Sequence, residues 1–135
     1  MNPTNPTKIL VADDEIYMLR LLEMTLKKGG YEVISCRDGG AALAQAVATL
    51  PALIVLDVMM PGLDGLGALR MLKENPATRD IPVVVLSAKG HALTRVDAVL
   101  AGAVLFLAKP FSPNELLGEV RKILGHRESS SSSSS

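Results

Sequence analysis

"LIVLDVMMPG", residues 53 to 62, carries four apolar residues without alternation into a carboxylate, Asp57, and then closes on Pro61 and Gly62. A strand with one wet face alternates apolar and polar side chains. A continuous apolar run bounded by turn residues instead fits a parallel strand covered by helices on both faces. "KILVA" at 8 to 12 and "VVVL" at 83 to 86 have the same character, while "EVISC" at 32 to 36 and "VLFLA" at 104 to 108 are further runs rich in Val, Ile and Leu. Five strands are expected.

Segments of helical spacing separate the runs. The first places Met18, Leu19, Leu21, Leu22 and Leu26 on one stripe and stops at Gly29-Gly30, as helix C-termini commonly do. The second is Ala-rich, about 41 to 49, and ends before Pro51; the third runs from about Leu66 to Glu74, ahead of Asn75-Pro76. A short fourth helix is expected over about Thr94 to Ala101, ending at Gly102. "SPNE" opens the fifth, with Ser112 as cap, Pro113 at the first helical position and Glu115 completing a capping box. Strand and helix alternate five times, so the fold class is α/β with a parallel sheet and right-handed crossovers.

The bulk numbers agree with one domain. The chain has 135 residues, of which 48% are hydrophobic, enough for a core of its own. Fourteen basic residues balance fourteen acidic ones, so no overall positive field favours nucleic acid or an anionic membrane. Cys36 is the only cysteine; it leaves no intramolecular disulfide and no zinc or redox pair, and suits a reducing, cytoplasmic setting. No apolar segment reaches the roughly 20 residues that span a bilayer, so membrane insertion is not expected. Residues 1 to 7 read as an N-terminal arm, 8 to 125 as the folded domain and 126 to 135 as a flexible serine-rich tail or linker stub.

In open parallel sheets, ligands bind beyond the carboxyl ends of the strands. The first run ends in Asp13-Asp14-Glu15, the third in Asp57, the fourth in Ser87 and the fifth in Lys109-Pro110. Gathering Asp13, Asp14 and Asp57 within about 4 Å costs roughly 4 kcal/mol per pair at an effective dielectric of 20, and a cation must offset that. Hard oxygen donors in small number suit Mg²⁺, which binds through one or two carboxylates, waters and phosphoryl oxygens. Lys109 adds a second positive charge and Ser87 a hydrogen-bond donor. The plausible nucleophile is then a carboxylate, giving an aspartyl phosphate.

At these residues the chain resembles the response-regulator receiver domain of two-component signalling. "VADDE", "LIVLDVMMPGLDG", "VVVLSA" and "FLAKPF" occur in order across Lys8 to Leu124. The resemblance implies a flavodoxin-like, doubly wound (βα)5 sandwich with strand order 2-1-3-4-5. It implies that Asp57 takes a phosphoryl group from a sensor histidine kinase or a histidine phosphotransfer protein. Mg²⁺, or Mn²⁺ in its place, would be held by Asp14 directly, by Asp13 mainly through water, by Asp57 and by the backbone oxygen of Met59. Ser87, the Ala88 backbone N–H and Lys109 would contact the phosphoryl group, with a cis peptide before Pro110. Phe106 would be the switch aromatic, and Met59 and Lys89 would tune phosphoryl lifetime. A downstream protein would read the face built from the fourth helix, fifth strand and fifth helix, with no direct contact to nucleic acid. The resemblance also implies a module that catalyses only its own phosphorylation and dephosphorylation. Because nothing foldable follows Leu124, the chain reads as a stand-alone regulator or as a receiver excised from a longer protein.

Plainer readings exist for each residue. Asp13-Asp14-Glu15 would serve as a helix N-terminus, Asp57 as a turn residue, and Phe106 as core; none of these explains the accompanying lysine. An aspartate-based, Mg²⁺-dependent phosphatase would carry a second aspartate two positions after Asp57, where Met59 stands. A nucleotide site would need a glycine-rich turn where "VADDE" stands. A receiver that never takes phosphate is disfavoured by the complete acidic set. The chain departs from the family in placing Val104 and Leu105 where acidic residues are common, which suggests a more apolar partner surface. Phe106 also lacks the hydroxyl of the commoner tyrosine.

Overall fold

The computed structural model describes residues 7–58, 65–88 and 95–131. Ten elements alternate: β1 (Lys8–Ala12), α1 (Ile16–Lys28), β2 (Glu32–Cys36), α2 (Gly39–Thr49), β3 (Leu53–Asp57), α3 (Gly65–Glu74), β4 (Val83–Ala88), α4 (Arg95–Leu100), β5 (Leu105–Lys109) and α5 (Pro113–Ser131). All pairings are parallel and the sheet order is β2-β1-β3-β4-β5, the doubly wound arrangement expected from the resemblance.

The absence of alternation has a direct cause. On one face Leu10, Ile54, Leu56, Val83 and Val85 pack with Ala42 and Ala46 of α2, Leu69 and Leu72 of α3 and Ala98 of α4. On the other, Ile9, Val11, Leu53, Val55, Val84 and Leu86 pack with Leu19, Leu22 and Leu26 of α1 and Leu116, Val120 and Leu124 of α5. Both faces of the three central strands are therefore dry. Burying each large side chain contributes roughly 1.5–3 kcal/mol.

Local chemistry sets the boundaries. Asp38 Oδ1 accepts from the Ala41 N–H at 2.7 Å, so α2 starts at Gly39, two residues before the expected position. Leu50, at φ 46°, closes α2 in the left-handed region just ahead of Pro51. Ser112 Oγ accepts from the Glu115 N–H at 3.0 Å and Pro113 opens α5, as the capping signature requires. That helix continues to Ser131, beyond the expected domain end at 125; each residue added to a formed helix gains one backbone hydrogen bond. Strand ends shift as well: β3 takes in Asp57, β4 takes in Ser87 and Ala88, and β5 runs from Leu105 to Lys109. Ladder pairs Asp57 with Leu86, Ser87 with Ala108 and Ala88 with Lys109 hold these residues in register.

Candidate functional site

Asp13 directly follows β1. Its N–H donates to the Cys36 carbonyl at 3.2 Å, and its Oδ1 accepts from the Glu15 N–H at 2.9 Å. Both bonds orient a carboxylate that has no solvent exposure. The acidic trio does not cap α1 in the ordinary way, since the N-cap residue, Glu15, makes no side-chain cap hydrogen bond. Asp57, also buried, ends β3. The Gly65 N–H, at the start of α3, donates to the Val58 carbonyl at 3.2 Å. A Cβ on Gly65 would strike the Asp57 carbonyl and lie 2.6 Å from Val58 Cα, so the start of α3 meets the backbone at the end of β3 where only glycine fits.

From the far edge of the sheet Lys109 reaches across. Its Nζ donates to Asp13 Oδ2 at 3.1 Å and to Glu15 Oε1 at 3.3 Å, and pairs with Asp57 Oδ1 at 3.3 Å. The peptide from Lys109 to Pro110 is cis. Asp14 is half-buried beside them, and oxygens of Asp13, Asp14 and Asp57 all lie within 4.8 Å of one another. Burial pushes the Asp13 carboxyl above its ordinary pKa, outweighing the Glu15 N–H and the Lys109 ammonium, and the Glu15 charge pushes the same way. Burial pulls Lys109 downward, yet the hydrogen bond and charge of Asp13, followed by Asp57, leave its pKa raised. A crowded anionic site with one ammonium thus holds surplus negative charge. Among the described residues the site offers three carboxylates and no histidine or cysteine, a hard-oxygen set that fits Mg²⁺ or Mn²⁺.

Of the residues singled out from sequence, Asp13, Asp14, Asp57 and Lys109 come together. Ser87 is buried at the end of β4, between the strands that bear Asp57 and Lys109, with Oγ 3.4 Å from the Ala88 carbonyl, and Ala88 is exposed beside it. Phe106 is half-buried on β5 against the face covered by α2, α3 and α4. Met59, Lys89 and the turn at Pro61-Gly62 lie outside the described residues. Sequence reasoning missed Arg37, whose Nη2 donates to the Asp14 carbonyl at 3.3 Å. It stands just beyond β2, so including the second strand in the strand-end inspection would have found it.

The family model described as the response regulator receiver domain matches residues 9–121. The chain belongs to the response-regulator receiver family. This receiver is 44% identical over 124 residues to a probable transcriptional regulator, ycf27, of Cyanophora paradoxa, covering 92% of this chain and 51% of that protein. It is 41% identical to the transcriptional regulatory protein ResD of Bacillus subtilis, across 92% of this chain and 50% of ResD. The receiver therefore spans about half the length of these curated relatives. Among solved structures it resembles a putative response regulator from Chloroflexus aurantiacus, with TM-score 0.84, 36% identity and coverage of 90% of this chain and 99% of that one. The chemotaxis protein CheY4 of Vibrio cholerae superposes with TM-score 0.82 at 29% identity, covering 89% of this chain and all of CheY4. Among the described residues no helix is long and apolar enough to cross a membrane.

Proposed function

We propose that this receiver is a phosphorylation-activated switch in which Asp57 accepts a phosphoryl group from a phosphohistidine, on a sensor histidine kinase or a histidine phosphotransfer protein. The observation that carries the reading is the bridge of Lys109 between Asp13 and Asp57, at 3.1 and 3.3 Å, beside a third carboxylate. A carboxylate oxygen of Asp57 attacks phosphorus, the bond from phosphorus to the imidazole nitrogen breaks, and the histidine leaves with that electron pair. Asp13, Asp14, Asp57 and the Met59 backbone oxygen are the proposed ligands of Mg²⁺, with Mn²⁺ as substitute. When bound, the ion neutralises charge on the transferring oxygens.

Lys109, the Ser87 hydroxyl and the Ala88 N–H then hold the phosphoryl oxygens, while Met59 and Lys89 tune how long the group survives. Phosphorylation adds about 1.5 to 2 negative charges, and redirecting Ser87 and Lys109 toward them biases β4 and β5. Phe106 follows by repacking. The output face is α4, β5 and α5, where Val96, Val99, Leu100 and Val104 are exposed and favour an apolar protein partner over nucleic acid. Leu105, by contrast, packs inward against the α1 and α5 side. The proposed extents are 1–7 for an arm, 8–125 for the receiver and 126–135 for a tail, and the proposed compartment is the cytoplasm. Incubation with Mg²⁺ and acetyl phosphate, followed by intact mass spectrometry, tests the reading: wild type gains one phosphoryl group and Asp57→Asn gains none. Equal labelling of both would sink it.

A further inference from the structure

Lys109 must contact the incoming phosphoryl group, yet its ammonium already faces three carboxylates. A lysine ammonium has three N–H donors, and here Asp13 Oδ2, Glu15 Oε1 and Asp57 Oδ1 lie 3.1, 3.3 and 3.3 Å from Nζ. A new phosphoryl oxygen therefore displaces an existing partner. The three are not equally easy to displace. The Asp13 and Asp57 side chains are 0% and 2% exposed, whereas that of Glu15 is 66% exposed. A solvated carboxylate regains water when it lets go; a buried one does not.

We infer that Glu15 is a positioning residue that steadies Lys109 against Asp13 and Asp57 in the unphosphorylated receiver and is the partner given up when a phosphoryl oxygen arrives. Its place supports this role: Glu15 precedes α1, its N–H is tied to Asp13 Oδ1, and its side chain makes no cap hydrogen bond, so the carboxylate is directed to Lys109 rather than to the helix. The inference rests on the phosphoacceptor reading above, with Glu15 as an internal competitor of the phosphoryl group for one ammonium. Removing the competitor strengthens the hold of Lys109 on the phosphorylated state. Exposed ion pairs of this kind correspond to roughly 1.4- to 5-fold in an equilibrium.

The test compares wild type, Glu15→Gln and Asp57→Asn with beryllofluoride and Mg²⁺ as a non-transferable phosphoryl mimic. Glu15→Gln should bind the mimic about 1.4- to 5-fold more tightly, with a slower dissociation rate. A carboxylate that merely repelled an anion at the rim would alter association and leave dissociation unchanged. In wild type, carbon-detected NMR should show the Glu15 carboxylate signal moving when the mimic binds. Unchanged dissociation in Glu15→Gln, or a stationary Glu15 signal, would overturn the inference while leaving the phosphoacceptor reading intact. Failure of wild type itself to bind the mimic in an Asp57-dependent way would overturn both.

Discussion

Lys109 Nζ stands 3.1 Å from Asp13 Oδ2 across 96 positions of sequence. Few single contacts tie this fold to its chemistry so directly, because β1 and β5 are not neighbours and only the intervening β3 and β4 set the distance. Lys109 is 11% exposed, so the ammonium neutralises carboxylates that water reaches poorly.

Replacing Lys109 by Met should therefore destabilise the metal-free protein. Removing one partner of a buried pair strands the other charge, at a cost of about 3–5 kcal/mol. Urea unfolding in the presence of a chelator measures it, and a loss below the error of the measurement would show that the carboxylates are relieved in some other way.

Asp13→Asn should do the opposite at neutral pH. The folded pKa of Asp13 lies above its ordinary value of 3.8, chiefly through burial. A raised carboxyl contributes stability below the unfolded pKa and loses it as pH rises through the folded pKa, so the ionised group is a net burden there. The gain in metal-free stability should be about 1–2 kcal/mol, within the roughly 3 kcal/mol that two like charges near 5 Å exert at an effective dielectric of 20. It should vanish in acid. Mg²⁺ affinity, read by calorimetry, should fall about 10- to 100-fold in the same variant.

Alkaline stability reports on the other side of the pair. Lys109 has a folded pKa above its ordinary 10.5. Its contribution is fully present below the unfolded pKa and is lost as pH rises through the folded one. Wild type should lose stability in that window beyond what Lys109→Met loses, as thermal melts above pH 10 would reveal; parallel curves would contradict the assignment.

Gly65→Ala should damage both fold and site. The new methyl would press on the Asp57 carbonyl and sit 2.6 Å from Val58 Cα, and backbone on two packed elements yields only by moving. The expected cost is about 1–3 kcal/mol, with slower phosphorylation by acetyl phosphate because the strand bearing Asp57 must shift. Normal stability with normal labelling would refute the contact.

Asp38→Ala should cost about 1 kcal/mol, since it removes the oxygen that accepts from the Ala41 N–H at 2.7 Å and caps α2. Hydrogen exchange should quicken in the first turn of α2 while the sheet stays protected.

Much of this receiver is legible in the sequence alone. Unbroken runs such as "LIVL" and "VVVL" declare strands dry on both faces, and the stripe from Leu19 to Leu26 and the capping box at Ser112 declare helices, because those signals act over a few residues. The strand-end rule nominated Asp13, Asp14, Asp57, Ser87 and Lys109 without any distance. What it left out were contacts whose partners lie far apart in sequence. That Arg37 reaches the Asp14 carbonyl, that Gly65 must leave room for the Asp57 carbonyl, and that Glu15 turns to Lys109 rather than to its own helix depend on which loops the sheet order brings side by side. Period and propensity in the sequence by itself determined the elements and the chemistry available at their ends. Only the tertiary structure decided how one ammonium is shared among three carboxylates, because Coulomb energy and burial depend on separations of a few ångströms that no local pattern encodes.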